Sequence, residues 1–363
     1  MRFSDFRKHM ERSATQWFAQ RELMVRPKAR YILESRDSWP DNLILPELAE
    51  HIRQQRGGFP LHKWAHHGLS SQAMLFNLLL PLIERAAVDD LRPAFAGLPW
   101  PEGAGLRLEV EDRMVFNENR GQPTSLDAAI EGDGPTLFIE AKLVEPGFGG
   151  CGQLELGECD GRTPVSDHAL CPLHRAGRSY WTRFEEVGLV LDHGPLCAMA
   201  KNYQFFREVA FALHKGGHLV LLVHDDNPAF WSEEGTRGLW PLLVGMVPEP
   251  QRQRLHRVTL RSVVDALRTT GQHDDWLADF EQRYGLVRTQ GADDVLAELP
   301  DLLAETIRVM WTSLEGGKAR GVDGRTVQGR ISRLLKAAGV DRDDPRWTAV
   351  IEHGRGLYYS DEP

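Results

Sequence analysis

The sequence lacks any long apolar run. No stretch approaches the roughly 18 consecutive apolar residues of a membrane-spanning helix, and the N-terminal segment MRFSDFRKHMERS lacks the apolar core of a signal peptide. We therefore expect a cytoplasmic protein with no membrane partner. Hydrophobic residues make up 42% of the chain and charged residues 26%, the balance of an ordinary globular protein with a substantial core.

Two common catalytic signatures are also missing. The glycine-rich segment EGGKARG lacks the spacing of a phosphate-binding P-loop, and no Gly-x-Ser-x-Gly nucleophile elbow occurs. These absences argue against a nucleotide hydrolase and against a serine hydrolase of that type.

Positive charge is scarce overall but locally concentrated. The net charge is −9, whereas residues 1–63 hold 12 Lys/Arg against 8 Asp/Glu (+4) and residues 318–336 hold 6 against 1 (+5). The second segment predicts a helix with an apolar face opposite basic side chains, of which Arg330 and Arg333 are candidate nucleic-acid contacts. The alternative is a plain docked helix with a solvated face.

Cysteine is rare, and its distribution is uneven. All four cysteines, Cys151, Cys159, Cys171 and Cys197, fall within one segment. Because cytoplasmic thiols stay reduced, we expect a structural metal site there, either Zn²⁺ or an iron–sulfur cluster. A nearby histidine, His168 or His174, could replace one cysteine as a zinc ligand. The alternatives are four free thiols or, as a weaker functional hypothesis, a metalloenzyme centre at the cysteines.

The stretch TSLDAAIEGDGPTLFIEAKLVE, residues 124–145, carries the clearest chemical signal. It predicts a hairpin of two apolar strands joined by a Gly-Asp-Gly-Pro turn. Side chains alternate along a strand, so Glu140 and Lys142 share a face, while Asp127 on the first strand points away from its apolar neighbours. The hairpin thus carries two carboxylates and an ammonium, although an unpaired buried charge costs on the order of several kcal/mol.

Two interpretations account for these charges. In one, Glu140 or Asp127 forms a structural ion pair with Lys142. In the other, Asp127 and Glu140 bind Mg²⁺ or Mn²⁺, and Lys142 lies beside the water that the cation activates. Glu84, near the end of an apolar helix, is a candidate third carboxylate, the alternative being a solvated charge in the last helical turn.

The remaining pattern predicts an α/β fold with a mixed central sheet. The order is a helix after Ser70, three strands, a helix over 200–215 and a strand over 218–225. We expect an N-terminal helical extension over 1–63, a core over 64–300 with a cysteine-bearing insertion over 146–198, and a small helical region over 301–363.

This order, with Asp127 on the second strand and Glu140-x-Lys142 on the third, resembles the PD-(D/E)xK, or restriction-endonuclease-like, nuclease superfamily. The segments His67-x-x-Ser70-Ser71-Gln72-Ala73 and Tyr203-Gln204 are similar to a bacterial group of restriction endonucleases within it. The resemblance implies that Asp127 and Glu140 bind Mg²⁺, that Lys142 orients or polarises the attacking water, and that Gln204 lies near the metal. Leu126 stands where the signature has proline.

The resulting functional hypothesis is a Mg²⁺-dependent endonuclease that hydrolyses DNA phosphodiester bonds, in restriction or phage defence. Its competitor is a non-catalytic nucleic-acid-binding or defence-complex subunit that retains the nuclease fold. A homodimer is one of the oligomeric states that the sequence leaves open.

Overall fold

The computed structural model of the chain describes residues 2–54, 61–191, 194–231, 238–287, 292–318 and 320–359; the side chains of residues 292–294 are not described. The chain forms two compact units, Met1–Leu286 and Val287–Pro363. Among the described residues, no helix has the length and apolar character needed to cross a membrane.

The first unit is built on a mixed five-stranded sheet. Its strands follow one another in chain order across the sheet: β3 pairs with β4 and β4 with β5 antiparallel, while β5 with β6 and β6 with β7 are parallel. A separate antiparallel pair, β1 with β2, precedes it. The strands are β1 Val25–Arg26, β2 Ala29–Leu33, β3 Glu102–Glu111, β4 Ser125–Asp133, β5 Leu137–Lys142, β6 His218–Val223 and β7 Leu255–Thr259.

Helices cover both faces of this sheet. The described α-helices of the first unit are α1 Phe3–Gln20, α2 Ala49–Arg53, α3 Ser71–Glu84, α4 Gly152–Glu155, α5 Pro172–Arg175, α6 Tyr180–Glu186, α7 Met199–His214, α8 Leu239–Met246, α9 Glu249–Arg252, α10 Leu260–Thr270 and α11 Asp274–Arg283. Short 3₁₀ segments are Trp39–Asn42, Pro46–Leu48, Val88–Phe95, His168–Leu170 and Pro228–Phe230. The predicted mixed α/β architecture is therefore confirmed.

Strand β5 divides the core into two clusters because its side chains alternate. Ile139 and Ala141 pack with α1, α3, α10 and α11 on one face. Phe138 packs on the other face, where its ring meets that of Phe211 on α7 at 5.6 Å between centroids. Residues 140 and 142 have the same parity as Phe138, and their side chains accordingly face α7.

The predicted N-terminal extension and the sheet belong to one unit. The stripe of α1 that includes Phe6, Met10 and Trp17 is buried in the same cluster as the sheet, since an amphipathic helix of this kind needs an apolar partner. The boundary between units lies after Leu286, whereas the sequence pattern places it after residue 300.

The insertion predicted over 146–198 contains short helices α4, α5 and α6. Several of its apolar side chains, among them Trp181 and Phe184 of α6, are buried in the core on the α7 face of the sheet. The segment thus shares the core of the first unit.

The second unit contains the described helices α12 Ala292–Ala297, α13 Asp301–Leu314, α14 Gly324–Ala337 and α15 Pro345–Tyr359. Ile331 and Leu335 of α14 are buried, while Arg330 and Arg333 are exposed. The apolar residues of α14 are therefore on its buried face and the two arginines on its exposed face, as their spacing predicts.

Candidate active site

Three carboxylates lie in a row across strands β3, β4 and β5. Ala128 of β4 pairs with Ile139 of β5. Because the two strands are antiparallel, one step back along β4 and one step forward along β5 places Asp127 opposite Glu140. On the other side of β4, residues 108 and 110 pair with 128 and 126, which sets Glu109 opposite Asp127. Neighbouring strands are about 4.8 Å apart, so the register alone concentrates three acidic side chains in a small region.

Glu109 has an unusual backbone conformation, with φ at +50°. A non-glycine residue in this left-handed region is strained, and such strain is frequent at functional sites. The carboxylate is held by Gln72 Nε2, which donates at 2.5 Å, and by Ser125 Oγ, which donates at 3.2 Å. Burial, followed by the negative charge of Glu140, raises the pKa of Glu109 to about 7 despite these hydrogen bonds.

Asp127 stands where β4 and β5 separate. Its Oδ2 accepts a hydrogen bond at 2.8 Å from the backbone N–H of Ala141, beyond the last paired position of the ladder. Burial and the neighbouring charges of Glu140 and Glu109 raise the pKa of Asp127 well above its ordinary value. The surroundings of Asp127 therefore disfavour its charged form.

Lys142, Glu140 and Gln204 form a closed triangle of hydrogen bonds. Lys142 Nζ donates to Glu140 Oε1 at 2.5 Å and to Gln204 Oε1 at 3.0 Å, and Gln204 Nε2 donates to Glu140 Oε1 at 2.7 Å. The side chains of Lys142 and Glu140 are only 7% and 4% exposed. Burial alone lowers the pKa of Lys142, but Glu140, Glu208 and other carboxylates outweigh it and raise that pKa, so the amine stays protonated.

Glu208, one turn further along α7 than Gln204, lies behind this triangle. It is buried, and neither carboxylate oxygen receives a hydrogen bond from a donor of the described residues. Burial, followed by the charge of Glu140, raises the pKa of Glu208 well above its ordinary value, which favours the neutral form of this carboxyl group.

The row opens into a cavity of about 630 Å³. Its lining includes the acidic row and Lys142, together with basic and aromatic side chains from the first seventy residues: Arg7, Arg26, His62, Trp64 and His67. Burial is the main cause that lowers the pKa of His67 to about 4, so this imidazole is neutral near pH 7. Ser70 caps α3 by accepting from the Ala73 N–H, and this places Gln72 at the cavity wall.

The structure brings Asp127, Glu140, Lys142 and Gln204 together but not Glu84. Glu84 is the exposed last residue of α3, and its separation from Gln72 by twelve residues corresponds to about 18 Å along the helix. The expectation that Glu84 supplies a third carboxylate is corrected accordingly, since Glu109 occupies that place. Sequence gives no signal for Glu109, because LRLEVE alternates as any half-exposed strand does.

The donor set of the row fits a hard divalent cation, for which carboxylate oxygens are the preferred ligands. Within the described ranges, however, no three or more Asp, Glu, His or Cys side chains already stand in an arrangement that could hold a metal ion. Glu140 is engaged by Lys142 and Gln204, and Asp127 by the Ala141 N–H. Binding a cation requires some of these side chains to turn.

A mixed sheet with carboxylates and a lysine at the point where two central strands separate is the arrangement of the restriction-endonuclease-like class. The chain belongs to the family described as Restriction Endonuclease associating with ARP, whose sequence model matches residues 11–285. No curated protein and no solved structure matches the chain. The resemblance seen in the sequence is confirmed at this level, and the family indicates a nuclease or defence role with DNA as substrate. The match ends one residue before the boundary of the first unit at Leu286.

Proposed function

We propose that the protein is a Mg²⁺-dependent endonuclease that hydrolyses DNA phosphodiester bonds, in restriction or phage defence. The observation that carries this proposal is the row Glu109, Asp127 and Glu140, which meets Lys142 in one cavity. A structural Glu140–Lys142 ion pair alone needs neither of the other two carboxylates. Burial and mutual repulsion raise the pKa of both, and a bound cation would favour their charged forms.

Asp127, Glu109 and Glu140 would hold the cation, Mg²⁺ or Mn²⁺. When bound, such a cation lowers the pKa of a coordinated water and polarises a phosphoryl oxygen. Gln72 and Ser125 keep Glu109 turned toward the row, and the Ala141 N–H does the same for Asp127. These contacts pre-orient the oxygens, which reduces the reorganisation needed at binding.

Lys142 remains protonated, and a protonated amine cannot accept a proton from water. Its role is therefore to donate hydrogen bonds to the attacking water or to the phosphoryl oxygen on which charge develops. Gln204 fixes the amine through its Oε1, and the ring of Phe148 lies 5.4 Å from Nζ. Both contacts restrict the amine to the mouth of the carboxylate row.

The basic and aromatic side of the cavity is the proposed path of DNA. Arg7 and Arg26 supply positive charge for phosphates, and Trp64, which is 39% exposed, offers a ring for contact with sugar or base. The exposed arginines Arg330 and Arg333 of the second unit are a further proposed phosphate contact.

Cleavage of supercoiled and linear DNA by purified protein with Mg²⁺ or Mn²⁺ tests the proposal. We expect strand scission that EDTA abolishes and that Lys142→Met removes. Lys215→Met is the matched control, because Lys215 pairs with Asp112 on the surface, outside the cavity. Cleavage that survives in Lys142→Met would move the chemistry elsewhere. If the protein binds DNA but does not cleave it with either cation, the nuclease proposal is wrong and the non-catalytic, defence-complex function is favoured.

A further inference from the structure

A second cavity collects all four cysteines of the chain. Cys151, Cys159, Cys171 and Cys197 line one enclosed space of about 20 Å³, with apolar side chains such as Leu154 and Trp181 forming much of the rest of the wall. The four residues come from separate turns of a segment of 47 residues, and each is half-buried with a free thiol. Loop cysteines that are unrelated in function have no reason to face one cavity.

Backbone pairing between distant turns creates this convergence. The Cys197 N–H donates to the Gly161 carbonyl at 2.8 Å, and Arg162 forms a β-bridge with Leu196, so the turn that carries Cys159 lies against the one that carries Cys197. The Cys151 N–H donates to the Ala200 carbonyl at 3.0 Å. The fold thus joins the beginning and the end of the segment at the cavity.

A backbone donor points at one of the sulfur atoms. The Gly161 N–H donates to Cys159 Sγ at 3.4 Å. N–H groups directed at sulfur stabilise thiolates, the form in which cysteine ligates metals.

Neither neighbouring histidine belongs to this set. His168 Nε2 lies 3.2 Å from Glu185 Oε1, and its ring stacks on Trp181, while His174 meets His168 edge to face. Neither side chain lines the cysteine cavity. The four cysteines are therefore the metal-ligating side chains that line this cavity.

We propose that Cys151, Cys159, Cys171 and Cys197 bind one thiophilic metal centre through four thiolates. Four sulfur donors suit tetrahedral Zn²⁺, with Zn–S bonds of about 2.3 Å, and equally an iron–sulfur cluster. As the structure stands, no group of three or more His, Cys, Asp or Glu among the described side chains is placed to hold a metal ion, so metal binding requires the cysteine side chains to reorient. Binding to four thiols releases four protons, one from each sulfur.

The centre has a structural role and does not depend on the proposed nuclease function. It joins Cys151, three residues after Phe148, to Cys197, two residues before α7 begins. The carbonyls of Phe148 and Gly149 accept the N–H groups of Gln204 and Tyr203. A metal bound at the cysteines therefore anchors the first turns of α7, from which Gln204 reaches the carboxylate row.

Metal and acid-labile sulfide analysis of the full-length protein, purified anaerobically, is the decisive test. We expect either about one zinc ion per chain, or iron with an equal amount of sulfide and broad visible absorption; either result supports the centre and identifies it. Protein that contains neither zinc nor iron, with four thiols that react freely with Ellman's reagent, overturns the proposal.

Variants then test the ligand set. Cys171→Ser should lose most of the metal, whereas His174→Ala should retain the wild-type metal content. If Cys171→Ser fails to fold, the thiols of the wild-type protein can be titrated with a mercurial instead. The metal should be released after about four equivalents, one for each cysteine ligand. Loss of metal in His174→Ala, or release after fewer than three equivalents, would contradict four-cysteine ligation.

Discussion

The carboxylate cavity and the cysteine cavity bring distant residues together by different means. In the first, the register of three adjacent strands aligns Glu109, Asp127 and Glu140, so the spacing of the donors follows from the sheet. In the second, turns are joined by a few backbone hydrogen bonds around four sulfurs. The apolar core on both faces of the sheet holds the carboxylate-bearing strands in place. The cysteine-bearing turns are joined by a few backbone hydrogen bonds, and a bound metal would stabilise their arrangement.

The two regions also differ in electrostatic state. The carboxylate row contains one buried cation, Lys142, beside several acidic groups, and burial together with the neighbouring negative charges raises the pKa of Asp127 and Glu109. The wall of the cysteine cavity is otherwise largely apolar, with side chains such as Leu154 and Trp181. Substitutions should therefore affect DNA cleavage at the first cavity and metal content at the second.

The largest expected effect is that of Asp127→Asn on cleavage. The amide keeps the size of the side chain but removes the charge that a cation needs, so kcat should fall by about 10³-fold. The fold should remain, because desolvation of the carboxylate is relieved. Asp133→Asn, at the exposed end of the same strand, is the control and should cleave like wild type. Metal content at the cysteines should be unchanged in both variants, and a change in it would show that the two cavities are coupled.

A smaller effect is expected at Glu208, which we treat as a positioning residue. Glu208→Gln keeps a neutral side chain of the same size beside Glu140, so kcat should stay within about threefold of wild type, while Glu208→Ala leaves a cavity there and should lower kcat about tenfold. The pH profile of cleavage should be the same for Glu208→Gln and wild type. If Gln and Ala variants were equally impaired, Glu208 would have to act as a charged carboxylate.

The pH dependence of stability should identify Glu109. Its folded-state pKa is about 7 against an ordinary value of 4.5, so the folded protein binds more protons than the unfolded chain in this window. Stability therefore decreases as pH rises from 4.5 to 7. In Glu109→Gln, the decrease in the free energy of unfolding over this pH range should be smaller by up to about 3 kcal/mol. Urea unfolding at pH 5 and pH 8 measures this change, with Glu102→Gln as the control, since Glu102 is exposed at the start of the same strand and does not line the cavity. Equal pH dependence in both variants would contradict the assignment to Glu109.

The smallest effect concerns DNA affinity at the second unit. Replacing Arg330 and Arg333 together by glutamine should reduce the slope of log Kd against log salt by about 2, because two phosphates would no longer be neutralised. Arg308→Gln with Arg355→Gln is the control, because each of these exposed arginines already pairs with a glutamate on its own helix. An unchanged slope for the first pair would restore the plain docked-helix interpretation of α14.

Much of the site-bearing hairpin could be predicted because its signals are local. Alternation of apolar residues and the Gly-Asp-Gly-Pro turn indicate strands β4 and β5, and parity along β5 places Glu140 and Lys142 on one face. Strand β7 was not predicted, since LHRVT is short and its alternation is weak. Glu84 was misplaced because helical sequence does not reveal which end of α3 approaches the sheet.

By itself, the sequence determined which residues are adjacent along a strand or helix: Glu140 with Lys142, and Gln204 with Glu208 one turn apart on α7. It also determined that all four cysteines lie in a single segment. Only the tertiary structure decided that Glu109 lies opposite Asp127, that Glu208 is buried without a hydrogen-bond partner among the described residues, and that the four cysteines line one cavity. Periodicity acts over a few residues, whereas strand register, helix docking and turn pairing depend on contacts between residues that are far apart in the chain.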